Sequence, residues 1–217
     1  LTDPAVEAYV DAIEEHLRAR RGVDHILTPR DFGLARRWHQ LGIPLATVLV
    51  GIDLAFEAAA EPVTSLAYCR RRVEELASCG PRPARRVVAG HESVSLAEVE
   101  EILGSLSERL DALRPGPGAC FEPPLRRIEE VRSLVAIAAK PNWDYLRRKL
   151  REIDESVAEA VVASLGEEER VGYEAEARRA VERHRGRMDS GALADAMSRF
   201  IVHRARERLN LPRAGLV

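Results

Sequence analysis

Leu96, Val99, Leu103, Leu106, Leu110 and Leu113 recur at intervals of 3, 4, 3, 4 and 3 residues. That spacing lines one stripe of an α-helix, whereas a strand shows the same face only at every second residue. Ser95 and Glu98, just ahead of the run, carry the signature of a capping box. Leu146, Leu150, Ile153, Val157 and Val161 form a second stripe of the same kind. Two such stripes have to be buried, either within the chain or against another copy of it, and spacing alone leaves both open.

The remaining segments follow the same period. Asp3 and Pro4 open a helix carrying Val6, Tyr9, Val10, Ile13 and Leu17, and Gly22 ends it. Thr28-Pro29 opens a second with Phe32, Leu34, Ala35, Trp38 and Leu41; Pro44 opens a third, and Leu66, Cys69, Val73 and Leu76 stripe a fourth. Beyond the leucine run, Leu125, Ile128, Val131 and Val135 line a helix between Pro124 and Pro141, with two more over about 167–187 and 190–209. No stretch alternates like a strand, and aromatic residues make up only 5%. The expected fold is all-α with nine helices. A small helical domain (1–78), a Pro/Gly/Arg-rich linker (79–93) and a bundle of longer helices (94–217) are the expected domains.

Charge and cysteine usage narrow the function. A formal net charge of −2 gives no broad excess of cations for phosphate. Cys69, Cys79 and Cys120 form no C-x-x-C pair and leave an odd thiol, which points to a reducing cytoplasm. No apolar run approaches the roughly 20 residues of a membrane span. The chain does not open on methionine, so an upstream segment is left open.

The stretch from Arg36 to Phe56 reads as a helix, a tight turn and a second helix, yet no Lys or Arg occurs between Trp38 and Cys69. A DNA recognition helix presents polar and basic groups to base edges. The helix after Pro44 instead has Leu45, Val48, Leu49, Ile52 and Phe56 on its core face, with Val50, Leu54, Asp53 and Glu57 opposite. It is expected to be core first and contact surface second, with Gly51 admitting a neighbouring helix, the one bearing Trp38. Leu27, Thr28, Pro29, Trp38, Gly42, Ile52 and Tyr68 give this region a pattern similar to the small helical domain of the DnaD/DnaB-type primosome proteins of bacteria and phages. The resemblance covers about a quarter of the chain and implies an oligomeric DNA-remodelling or replication-loading adaptor without a catalytic site.

Catalytic motifs are missing. Phosphate loops, a G-x-S-x-G elbow and zinc-protease helices are absent, and no histidine has a Glu three positions before it, as di-iron bundles require. No metal ligand, cofactor or catalytic residue is expected from these patterns. An enzyme whose carboxylates converge only in three dimensions stays open. His91-Glu92 falls in the linker; His184 and His203 read as half-buried imidazoles; Cys69 reads as packing and Cys120 as the accessible thiol. Arg147, Arg148, Lys149 and Arg151 sit among carboxylates and read as an ion-paired surface. The expected function is a non-enzymatic helical interaction or adaptor protein, contacting another protein or itself through Val50, Leu54, Leu96, Leu103 and Leu110. The alternative is a DNA-binding accessory of replication or genome maintenance that uses Arg70, Arg71, Arg72, Arg82, Arg85 and Arg86.

Overall fold

The computed structural model describes residues 3–22, 27–80, 95–113, 118–137 and 141–214. Among these there are nine α-helices and no strand: α1 (Pro4–Arg21), α2 (Pro29–Gln40), α3 (Leu45–Glu57), α4 (Leu66–Ala77), α5 (Leu96–Ala112), α6 (Glu122–Ile137), α7 (Trp143–Ala163), α8 (Glu167–Glu182) and α9 (Ser190–Leu209). A short 3-10 turn, Gly118–Phe121, precedes α6. No helix among the described residues is long and apolar enough to cross a membrane.

The helix starts follow the local chemistry. Asp3 accepts a hydrogen bond from the Ala5 amide at 3.0 Å, and Gly22 ends α1 at φ 67°. Thr28 accepts from the Asp31 amide at 3.2 Å, and Asn142 from that of Tyr145 at 3.1 Å. The capping box of α5 is complete: the Glu98 amide donates to Ser95 Oγ at 3.2 Å, and the Ser95 amide to Glu98 Oε2 at 2.6 Å. Each bond satisfies an amide that the first helical turn leaves without an intrahelical acceptor.

The described residues divide into two compact units, one drawn from 1–88 and 174–200, the other from 89–173 and 201–217. This differs from a single C-terminal bundle over 94–217, because residues 174–200 belong with the first unit. Side chains explain it. His184 bonds to Asp53 on α3, and buried Arg199 donates to the Ala77 carbonyl at the end of α4, at 2.5 Å. Most of the expected linker, 81–93, lies outside the described residues.

In the first unit, Ile13 and Leu17 of α1, Trp38 of α2, Leu49 and Ile52 of α3, and Leu66 and Val73 of α4 share one core. Every residue of α3 from Ala46 to Ala55 is buried, which is why that helix is apolar on all sides. Gly51 does admit a neighbour, but it is α4 rather than the Trp38 helix. A methyl built on Gly51 would lie 2.8 Å from both Cα and Cγ2 of Val73. Gly51→Ala therefore sets a helix-propensity gain of about 1 kcal/mol against overpacking of about 1–3 kcal/mol. The expected result is a lower urea midpoint, and Val73→Ala should not restore it, because the backbone Cα is among the atoms met.

In the second unit, Leu103, Leu106 and Leu110 of α5 meet Ile128 and Val131 of α6, Phe121, and Leu150, Ile153, Val157 and Val161 of α7. Both leucine stripes are thus spent in one core, with α6 packed against both helices that carry them. Each unit holds one of the two tryptophans, Trp38 in the first and Trp143 in the second.

Candidate functional site

Asp53 is the one ionisable residue in the enclosed part of α3, and its side chain is 4% exposed. A carboxylate in such a place costs several kcal/mol unless donors surround it. Four groups do so here. His16 Nε2 lies 2.9 Å from Oδ1 and His184 Nε2 3.2 Å from Oδ2. Arg20 Nε stands 3.2 Å from Oδ1, and an Arg183 nitrogen 3.9 Å from Oδ2 and 3.6 Å from Glu57.

Two segments supply these groups. His16 and Arg20 are one turn apart on α1, so both point to the face that α1 packs on α3. Arg183 and His184 come from the turn that follows α8. The two imidazoles meet edge to face, with centroids 5.0 Å apart, and the Arg20 guanidinium lies 5.4 Å from the Phe56 ring centre.

Burial alone would push the Asp53 carboxyl up. Hydrogen bonds from His16 and His184, with the charges of His16 and Arg20, outweigh that and hold it well below the usual carboxylate range. An ionised carboxylate only accepts, so each facing Nε2 carries a proton in this arrangement. Family models, curated proteins and solved structures contain no match to this chain. The site is therefore read from its own chemistry. The donor atoms of His16, Asp53 and His184 all lie within 4.8 Å of one another, which makes this trio the candidate ligand set for a metal ion among the described residues.

The positions singled out in the sequence are distributed differently. Val50, Leu54, Leu103 and Leu110 are buried, and Leu96 is half-buried at the edge of the second core, so these side chains serve the chain's own interior. Arg70 pairs with Glu74 at 3.0 Å, and Arg71 and Arg72 with Glu75 at 2.9 and 3.3 Å. Arg82, Arg85, Arg86, His91 and Glu92 lie outside the described residues. Lys149 pairs with Glu152 at 2.7 Å and Arg147 with Asp144 at 3.3 Å. His203 is buried, 3.6 Å from Glu207.

The trio around Asp53 was not foreseen. The available signal was Asp53 itself, a charge between Ile52 and Leu54 in a helix with no polar face. The thiols rank by burial: Cys69 and Cys79 are buried, and Cys120 is half-buried. Burial, with Asp31 and Asp53 nearby, pushes the Cys69 thiol up to about 12. Iodoacetamide at mildly alkaline pH should accordingly label Cys120 first and leave Cys69 unmodified until the protein unfolds; peptide mass spectrometry would read the order.

Proposed function

We propose that this chain is a non-catalytic helical adaptor whose first unit presents an aromatic contact surface to another protein. The observation that carries this is the placement of Phe32 and Tyr68, which are 39% and 54% exposed in a chain where aromatics are scarce. Asp31 and Ala67, the residues just before them, are joined by a hydrogen bond from the Ala67 amide to Asp31 Oδ1 at 3.3 Å. The two rings thus start from helix ends held together, and exposed aromatics on rigid elements are the usual anchors of protein interfaces. The closed character of the Asp53 cluster favours the same conclusion, because its three side chains are 10%, 4% and 2% exposed.

The test is affinity capture from the native cell extract, with wild type beside Phe32→Ala/Tyr68→Ala, checked by thermal melting. The expected result is a partner retained by wild type, confirmed with purified components, and lost by the double variant at an unchanged melting temperature. Retention of every partner by the double variant would overturn it. So would salt-sensitive DNA binding in an anisotropy titration that disappears on replacing Arg70, Arg71 and Arg72 by Ala, since a role on nucleic acid would then take precedence.

A further inference from the structure

The geometry points to a site for a divalent transition-metal ion of the zinc type, held by His16 Nε2, an Asp53 carboxylate oxygen and His184 Nε2. Zinc ligands at about 2.0–2.1 Å in a tetrahedral arrangement sit roughly 3.3 Å from one another. His16 and His184 approach different oxygens of the Asp53 carboxylate, Oδ1 at 2.9 Å and Oδ2 at 3.2 Å, and the donor atoms of the trio all lie within 4.8 Å of one another. Rotation of the side chains would have to bring both imidazole nitrogens and one carboxylate oxygen around a single centre.

The donor set selects the class of ion. Two imidazoles and one carboxylate suit Zn²⁺, Co²⁺, Ni²⁺ or Fe²⁺, whereas Mg²⁺ and Ca²⁺ prefer oxygen donors. No cysteine belongs to the cluster. Coordination requires each Nε2 to give up its proton, to Nδ1 or to solvent. Two of the ligands stand on packed helices and the third in the turn after α8, and all three residues are buried. The ordering that a metal site demands is therefore largely in place before an ion arrives.

Two further details bear on the proposal. Arg20 Nε is buried and faces Asp53 Oδ1 at 3.2 Å but makes no hydrogen bond. Coordination would draw the His16 nitrogen off that oxygen and leave its lone pairs to Arg20. Against the ion stand the charges of Arg20 and Arg183. Arg183 is 55% exposed on its side chain and already within 3.6 Å of Glu57, so it can turn toward that carboxylate. Arg20 stays beside the carboxylate, which caps the affinity.

The experiment uses the full chain free of any histidine tag, stripped with chelator and titrated with Co²⁺, then loaded with Zn²⁺ for X-ray absorption. The expected result is visible d–d absorption saturating at a single equivalent, and a zinc shell of two imidazoles with oxygen at about 2.0 Å. His184→Ala should weaken Co²⁺ binding at least about tenfold. Should that variant fail to fold, the absorption data on wild type decide alone. No saturable binding, a shell with sulfur or fewer than two imidazoles, or unchanged affinity in a folded His184→Ala would each overturn the proposal.

Discussion

Asp53→Ala should lower the stability of the unit that holds Trp38 by about 3–5 kcal/mol, the usual cost of removing one partner from a buried charge cluster. The loss is large because the variant leaves three donors stranded. His16 and His184 are buried with Nε2 directed at the missing carboxylate, and Arg20 keeps a cation beside the Phe56 ring with no acceptor. Asp53→Asn should rescue it only in part: His184 can accept from the amide NH₂ with its proton on Nδ1, but the negative charge facing Arg20 is gone. Guanidinium unfolding followed by Trp38 fluorescence in a Trp143→Phe background reads the effect. A loss under about 1 kcal/mol, the scale of exposed ion pairs, would mean that the cluster is not closed in solution.

The same residue sets an acid limb. Its folded-state carboxyl is held below the ordinary range, so its contribution is present above the unfolded value of about 3.9 and declines as pH falls below that toward the folded value. Wild type should lose this part of its stability below about pH 4, and Asp53→Ala should lack that component. Identical acid limbs in the two proteins would remove the argument.

What could be read in advance, and what could not, divides along the range of the interactions. The Ser95–Glu98 box, the Thr28 cap and the leucine stripe of α5 depend on residues three or four apart, and helix geometry alone brings those together. The all-α class followed from that local chemistry. Asp53 and His184 are 131 residues apart, and nothing in the local pattern around either specifies the other. The available cue was Asp53 itself, a carboxylate inside an apolar helix whose burial requires donors. His16 and Arg20, one turn apart on α1, carry no motif that marks them as its partners. Which of the six histidines would return to α3 depended on residues 174–200 joining the first unit, and no periodicity encodes that. Gly51 was legible as a close approach, but the identity of its neighbour again depended on tertiary packing.

The second unit has its own aspartate in a comparable role, with a different expected pattern of losses. Arg206 donates to the Asp154 carbonyl at 3.0 Å and to its Oδ1 at 3.1 Å, and the Ala214 amide donates to the same Oδ1 at 3.1 Å. One carboxylate thus ties the end of α9 and the chain after it to α7. Arg206 is 7% exposed on its side chain and Asp154 17%, so removing the carboxylate leaves the more deeply buried charge behind. Asp154→Ala should cost about 2–4 kcal/mol, below the full buried-pair penalty because water reaches part of the site. Arg206→Met should cost only about 1 kcal/mol: the apolar stem is kept, while Asp154 retains the Ala214 amide and access to water. Combining the two should cost less than their sum by about 1–2 kcal/mol, because the stranded guanidinium is gone. Trp143, packed against this core, reports all three variants in a Trp38→Phe background. If Arg206→Met proved the costlier change, the guanidinium would be holding the unit together through contacts other than Asp154, and the carboxylate would lose its place as the organising group.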